Sequence, residues 1–367
     1  MKKIIICGGH LTPALALIEE LRQQKDVEII FIGRKYATEG SKNLSAEYKT
    51  VKNLNVDFYK VTAGRLQRKF TLHTIPALLK IPIGYIQSLY ILVKVRPQLV
   101  VSFGGYISSP VVFNAWLLGI KSITHEQSVK LGLANKINAL FNKKVYLSWQ
   151  QTANHLKEDK YQVIGNLTRH IVFKKTAKDV KIQQFLSSAD KLIFVTGGNQ
   201  GSHFINKLIF EMIPQLSSYQ IIHQVGTANF KGDLDKAKKI KRANYLALDY
   251  IGGDNIGAIF DRADLVISRS GANTVWDLAI LGKVAILIPL PIAAAGEQEA
   301  NANILLEAGS AIILNQKDLS PQILAQKIDH IFKSLPKFQR SAQTFSKTLP
   351  KSASKTLASE VLKLTEN

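Results

Sequence analysis

Short apolar runs alternate with amphipathic stretches almost from end to end of this 367-residue chain. In its first half, Lys3–Cys7, Glu28–Ile32, Asp57–Val61, Leu99–Phe103, Lys121–His125 and Lys144–Leu147 are four or five residues long and bounded by Gly, Pro or polar residues. Such runs predict strands buried on both faces. Between them, Pro13–Gln24 and Pro110–Leu118 carry helical patterns suited to packing on a sheet. After about Gly165 the pattern restarts, with strands at Lys191–Thr196, Gln220–Gln224, Tyr245–Asp249, Leu265–Ser268, Ala285–Pro289 and Ala311–Leu314. Helices at Phe204–Ile213 and Thr274–Leu281 fill the intervals. This alternation predicts an α/β protein with two doubly wound parallel sheets. The expected boundaries are 1–164 for the N-terminal domain and 165–345 for the C-terminal domain. Residues 346–367, with the weak stripe Leu357, Val361, Leu362 and Leu364, are expected as a terminal helix, either outside the second sheet or back on the N-terminal domain.

An apolar fraction of 46% against 20% charged residues describes a globular chain. The single cysteine, Cys7, excludes a disulfide framework and a multi-thiolate metal site, and points to a reducing cytoplasm. Met1-Lys-Lys-Ile-Ile-Ile-Cys7 begins like a signal peptide but runs into Gly8-Gly9-His10 and an amphipathic helix, so it is read as the first strand.

The net charge of +21 is unevenly spread: no acid lies between Asp57 and Glu126, where Lys60, Arg65, Arg68, Lys69, Lys80, Lys94, Arg96 and Lys121 stand. Inside that gap, the apolar segment 75–95 is broken by two prolines, two lysines and a glutamine, so it does not suit a membrane span. It is expected as a helix pair with apolar and basic faces resting on an anionic membrane surface; a buried helix with a solvated basic rim is the alternative. Nucleic acid is not an expected partner, since zinc-finger spacing and RNP-type aromatics are absent.

Four small-residue turns follow predicted strands: Gly8-Gly9-His10, Gly104-Gly105-Tyr106, Gly197-Gly198-Asn199-Gln200-Gly201, and the decapeptide from Ser268 to Asp277. Sheets of this kind bind ligands beyond the carboxyl ends of their strands. In the fourth turn, unpaired backbone N–H groups at a helix start form a phosphate site, and Asp277 lies one turn on, where it can accept from two sugar hydroxyls. An ordinary exposed acid is the bland reading of Asp277. His10 stands at a helix start, where the dipole favours the neutral imidazole that can take a proton; capping or packing of the turn is the alternative. His125-Glu126-Gln127 puts three polar groups at a strand end, read as not core material and suited to sugar hydroxyls or acid–base work, or else to a hydrogen-bonded loop. Arg169, at the join of the halves, is placed to reach a diphosphate, or is a surface arginine. No metal site is expected: the eight histidines are scattered, and Asp233-Leu-Asp235 opens a Lys-rich helix whose dipole explains the acids.

These motifs resemble the MurG family over nearly the whole chain. The resemblance rests on Gly8-Gly9-His10…Pro13, Val100-Val-Ser-Phe-Gly-Gly-Tyr106, His125-Glu-Gln127, Gly132-Leu-Ala-Asn-Lys136, Gly165-Asn166…Arg169, Gly197-Gly198…Gln200-Gly201, Arg269-Ser-Gly-Ala272…Thr274-Val275 and Gln298…Asn301. It implies two Rossmann-like domains facing a cleft, the glycosyltransferase type B fold, without a cofactor or metal. It implies an inverting transfer of N-acetylglucosamine from UDP-N-acetylglucosamine to an undecaprenyl-linked lipid acceptor, lipid I, on the cytoplasmic membrane face. The donor would then lie on Gly198, Asn199, Gln200, Ser270, Gly271, Ala272, Asn273 and Thr274, with Asp277 on the ribose, the Ile251 backbone on the uracil, Arg169 near the diphosphate and Gln298 on the sugar. The acceptor would lie on Gly8, Gly9, Gly104, Gly105, Tyr106, His125, Gln127, Ser128 and Asn135, with His10 and Glu126 as catalytic groups.

The chain departs from the family pattern at Ile5-Ile6-Cys7, Ser128, Asn199, Asp277 and Ala295, which bear on acceptor detail and donor sugar more than on UDP. Alternatives of neighbouring chemistry are a diacylglycerol glycosyltransferase, a UDP-sugar epimerase and a nucleotide-sugar-binding regulator without turnover. The dinucleotide fingerprint of an NAD enzyme is absent.

Overall fold

The computed structural model describes residues 1–36, 43–62, 74–292 and 296–366. Arg65, Arg68, Lys69 and Ala295 lie outside the described residues, as does the side chain of Lys80. The chain forms two compact units: Met1–Arg169 with Pro350–Asn367, and His170–Leu349.

The first unit holds a parallel sheet of β1 (Lys2–Cys7), β2 (Val27–Gly33), β3 (Asp57–Lys60), β4 (Leu99–Ser102), β5 (Lys121–Glu126), β6 (Lys144–Leu147) and β7 (Tyr161–Val163), in the order β3-β2-β1-β4-β5-β6-β7. Its helices are α1 (Leu11–Leu21), α2 (Ala46–Asn53), α3 (Thr74–Val95), α4 (Ser108–Leu117) and α5 (Leu133–Phe141). Strand β1 explains why the sheet is covered twice. Ile4 and Ile6 pack into one core with Leu17 and Leu21 of α1, while Ile5 and Cys7 pack into another with Leu92 of α3 and Val111 of α4. Both faces are apolar, so the strand reads as a continuous hydrophobic run.

The second unit repeats the plan with β8 (Leu192–Thr196), β9 (Gln220–Gln224), β10 (Tyr245–Leu248), β11 (Leu265–Ser268), β12 (Ala285–Leu287) and β13 (Ala311–Ile313), in the order β10-β9-β8-β11-β12-β13. Its helices are α6 (Val180–Leu186), α7 (His203–Met212), α8 (Asp233–Lys239), α9 (Gly253–Arg262), α10 (Ala272–Ile280), α11 (Glu297–Glu307), α12 (Pro321–Lys333) and α13 (Leu335–Thr348). The last helix, α14 (Ala353–Glu366), belongs to the first unit: Leu357, Ala358 and Val361 complete the α1 side of its core.

Three expectations are revised. The division falls after Arg169, and residues 346–349 stay with the second unit. Segment 75–95 forms one helix that continues through Pro82, anchored downstream by buried Ile91, Leu92 and Val95, where a helix pair was expected. Strand β7, a three-residue edge strand with half-buried side chains, carries no apolar run and was not anticipated. Among the described residues, no helix is long and apolar enough to cross a membrane.

Because α14 docks through a few buried side chains, Leu357→Ala should lower the unfolding free energy by about 2–5 kcal/mol. Urea denaturation checks this, with exposed Lys363→Ala expected to change little.

Candidate active site

In both units the strand order reverses beside the first strand, between β1 and β4 and between β8 and β11. Loops diverge at such points and leave a crevice beyond the strand ends. All four glycine turns fall there, in two pairs.

In the first unit, the turns after β1 and β4 touch backbone to backbone. The Gly9 N–H donates to the Gly104 carbonyl at 2.8 Å. Gly8 has φ +132°, and a Cβ there would stand 2.7 Å from the Gly104 oxygen; a Cβ on Gly105, at φ +77°, would stand 2.9 Å from the Gly9 nitrogen. No other residue permits this approach. The packed turns set His10 at the N-cap of α1, half-buried, without a hydrogen-bond partner among the described residues. Tyr106 is half-buried, with the Arg34 guanidinium 5.9 Å from its ring centre.

His125, Glu126, Gln127, Ser128 and Asn135 are all buried, which corrects the reading of the polar trio as not core material. The Gly165 carbonyl lies 2.9 Å from His125 Nε2 and can only accept, so Nε2 carries the hydrogen and Nδ1 accepts from Gln127 Nε2 at 3.2 Å. Burial lowers the His125 pKa to about 4, opposed by the Gly165 bond and assisted by His10. This ring is therefore a neutral strut. The Glu126 carboxylate accepts from Ser128 N at 3.1 Å, Gly132 N at 2.8 Å and Asn135 Nδ2 at 2.8 Å. Burial raises its pKa, opposed by the Gly132 bond, the His10 charge, the Asn135 bond and the Ser128 bond. With its oxygens so engaged, Glu126 holds the 126–135 loop in place beside His10 and is not free to transfer protons.

In the second unit, a cavity of about 500 Å³ opens beyond β8 and β11. Helices α7 and α10 both start at its wall, and their N-cap residues, Ser202 and Gly271, give no side-chain cap. Gly198, Gly271, Thr274 and Gln298, all expected in the donor site, line it; Gln298 Oε1 accepts from Leu290 N at 3.0 Å. Ala272 and Asn273 form the first turn of α10, and Ser270 is fully buried just before it. The hydroxyls of Ser268, which lines the cavity, and Ser270 are buried with no partner among the described residues. Arg269, inside the quoted motif but not anticipated as a ligand, donates to Ser202 Oγ and Gln316 Oε1, each at 2.8 Å, and to the carbonyls of Ile288 and Pro289 at 3.0 and 3.3 Å. Burial lowers its pKa to about 10, which leaves it a cation at neutral pH. Among the described residues the lining contains no Asp or Glu, so this cation faces no acid in the wall.

Asp277 follows Thr274 by three residues on α10 and is half-buried, not an ordinary surface acid. Burial raises its pKa to about 7, and among the described residues nothing bonds its carboxyl. It suits a ligand hydroxyl. Asp277 itself stands one helical turn behind the wall residue Thr274, and other expected donor residues are likewise not in the wall. Asn199 and Gln200 are exposed on the turn after β8, and Ile251 is buried ahead of α9. Arg169 belongs to the first unit, where its Nε donates to Glu19 at 2.6 Å in an ion pair that its sequence position did not suggest. Ser202, His203, Phe204, Phe230 and Gln316 line the cavity unannounced. His203 follows a glycine turn at a helix start, the signal that singled out His10; Gln316 gives no local signal. Asp233 and Asp235 stand in the first turn of α8, as the dipole reading expects, and Asp233 is in addition buried and bonded by His203. No cluster of three metal-ligating side chains occurs among the described residues.

Comparison with known proteins agrees with this geometry. Models described as the glycosyltransferase family 28 N-terminal domain and the glycosyltransferase family 28 C-terminal domain match residues 7–147 and 192–357. A UDP-N-acetylglucosamine–N-acetylmuramyl-(pentapeptide) pyrophosphoryl-undecaprenol N-acetylglucosamine transferase of Clostridium novyi (strain NT) is 32% identical over 94% of each chain. One of the same name from Clostridium kluyveri is 30% identical over 100% of this chain and 99% of its own. The crystal structure of Acinetobacter baumannii MurG superposes with TM-score 0.72 at 23% identity, covering 99% of this chain and 100% of that one. A UDP-GlcNAc 2-epimerase from Neisseria meningitidis reaches 0.66 at 14% identity over 99% and 100%, so the fold is shared beyond transferases. Two parallel-sheet units with glycine turns at both strand reversals, matched by both family 28 domains, define a glycosyltransferase of the type B fold. Within that class the chain belongs to the MurG family.

The buried imidazoles give a pH test. His125 titrates near 4 and His223, also desolvated, near 3, against 6.5 for an ordinary ring. The unfolded chain binds more protons below 6.5, so the stability from these neutral rings is complete above 6.5 and is lost as pH falls toward 4. Their ring NMR shifts should stay those of neutral imidazole from about pH 8 to 5.

Proposed function

We propose that this chain transfers N-acetylglucosamine from UDP-N-acetylglucosamine to the C4 hydroxyl of undecaprenyl-pyrophosphoryl-muramyl-pentapeptide, with inversion and without a metal, at the cytoplasmic membrane face. The observation that carries the reading is the acid-free cavity of the second unit, with Arg269 and two uncapped helix starts in its wall. Such a wall neutralises a diphosphate by fixed charges and dipoles, the work that a divalent cation does elsewhere. Asp277 takes the ribose hydroxyls. The names of the relatives supply the sugar and the acceptor.

The acceptor hydroxyl attacks the anomeric carbon on the face opposite the diphosphate; the C1–O bond breaks and UDP leaves with the electron pair. His10, unpartnered at the start of α1, takes the hydroxyl proton. Glu126, His125, Gln127 and Asn135 act through position, bracing the loop around it.

The lipid end of the acceptor calls for a membrane-facing surface in the first unit. On α3, Ile83, Ile86, Tyr90 and Val93 recur at helical spacing and are 45–69% exposed. Trp116, Leu117 and Leu118 at the end of α4, and Leu140 on α5, extend the surface, joined by the Phe113–Trp116–Phe141 ring cluster. Between Asp57 and Glu158 the only acid is Glu126, which is buried, so lysines such as Lys94, Lys136 and Lys143 stand here without exposed acids from the same stretch. That pairing of apolar side chains and cations fits an anionic bilayer surface.

With radiolabelled UDP-N-acetylglucosamine and lipid I, product should form in excess EDTA; product only with added metal, or an epimer without acceptor, would contradict the reading. His10→Ala should lower turnover by roughly 10²–10⁴ while sparing donor binding, and wild-type turnover in that variant would remove His10 as the base. Ile86→Glu with Trp116→Glu should release the protein from anionic vesicles in a sedimentation assay; unchanged partitioning would sink the platform.

A further inference from the structure

One group in the wall of the donor cavity plays no part in the chemistry above. His203 is the first residue of α7, directly after the glycine turn that closes beneath the cavity. Its Nδ1 lies 2.9 and 3.0 Å from the two Asp233 oxygens. Asp233 is buried, and its other donor is Asn206 Nδ2 at 2.8 Å. Asn206 Oδ1 lies 3.0 Å from His223 Nε2, and His223 Nδ1 lies 2.9 Å from the Tyr245 hydroxyl. A chain of polar groups thus runs from the cavity wall into the core through α7, α8, β9 and β10.

This arrangement fixes the imidazole. A carboxylate only accepts, so Nδ1 carries a hydrogen whatever the charge of the ring. No lysine or arginine pairs with Asp233 among the described ion pairs, so His203 is the group able to neutralise it. Among the described residues, hydrogen bonding engages Nδ1 and not Nε2 of this half-buried ring, and His203 lines the cavity. When the ring is protonated, Nε2–H points a donor at the ligand, with the charge balanced from behind by Asp233. A carboxylate behind an imidazole is a way of aiming it.

We propose that His203, oriented by Asp233, binds the distal phosphate of the nucleoside diphosphate in this cavity. The assignment rests on the donor reading above and deepens it. Asp277 ties the ribose to α10, so the phosphate nearer the nucleoside takes the start of α10. The sugar-bearing phosphate then takes the start of α7, where His203 stands. As the C1–O bond breaks, the electron pair passes to an oxygen of that phosphate, and the His203 hydrogen bond strengthens as charge gathers there. The proton stays on the ring.

The test is calorimetric titration of wild type, His203→Gln and His203→Arg with UDP and with UMP, which lacks the distal phosphate. Gln keeps an N–H donor for Asp233, and Arg restores a cation. UDP affinity should fall roughly tenfold or more in His203→Gln, UMP affinity should hold, and His203→Arg should recover most of the UDP binding. Unchanged UDP affinity, or equal weakening of UDP and UMP as a merely structural role would give, overturns the proposal and leaves the donor reading standing. A wild type that binds neither nucleotide overturns the donor reading itself.

Discussion

The structure depends on close approaches of backbone to backbone at glycine turns beyond the strand ends, made in the first unit where the sheet reverses its strand order. In the first unit the Gly8-Gly9 turn meets the Gly104-Gly105 turn at distances that leave no room for a Cβ. In the second, Gly201 of the turn after β8 meets Gly226, which follows the neighbouring strand β9, and again there is no room for a Cβ. The glycines let strand ends close together while helices start beside them with free N–H groups. A ligand recess is the direct result, because the N-cap residues of α1, α7 and α10 give these helix starts no side-chain cap.

What each recess can do is decided by charge. The second-unit cavity keeps acids out of its wall and places Arg269 among carbonyls and hydroxyls, so a dianionic group is the natural occupant. The first-unit recess buries its one acid under three N–H donors and leaves His10 unpartnered. The same economy acts on the surface. The net charge of +21 is concentrated in effect where apolar helix faces are exposed, because acids are missing there. In the proposed reaction, leaving-group stabilisation, proton acceptance and membrane contact would come from three local settings of one basic chain.

The sheets were legible in the sequence because parallel strands covered on both faces must be apolar at successive positions, as at Ile4-Ile5-Ile6. Strand β7 was not, since an edge strand with half-buried side chains needs no such run. The glycine turns were legible by their place after strands. The role of His125-Glu126-Gln127 was not, because it is set by partners outside the motif: Gly165, 40 residues on, for His125, and Gly132 and Asn135 at the start of α5 for Glu126. Polar residues at a strand end look solvent-facing until those partners are known. Arg169 and Asp233 each have a partner that spacing does not reveal, Glu19 and His203. Arg269 was hidden in a motif that drew attention to its backbone.

The most direct measurement is a crystal structure of the chain with UDP-N-acetylglucosamine. The account predicts the diphosphate over the starts of α7 and α10, the ribose hydroxyls on Asp277, and no metal ion between the phosphates. A donor bound outside that cavity, or a divalent cation bridging its phosphates, would contradict it.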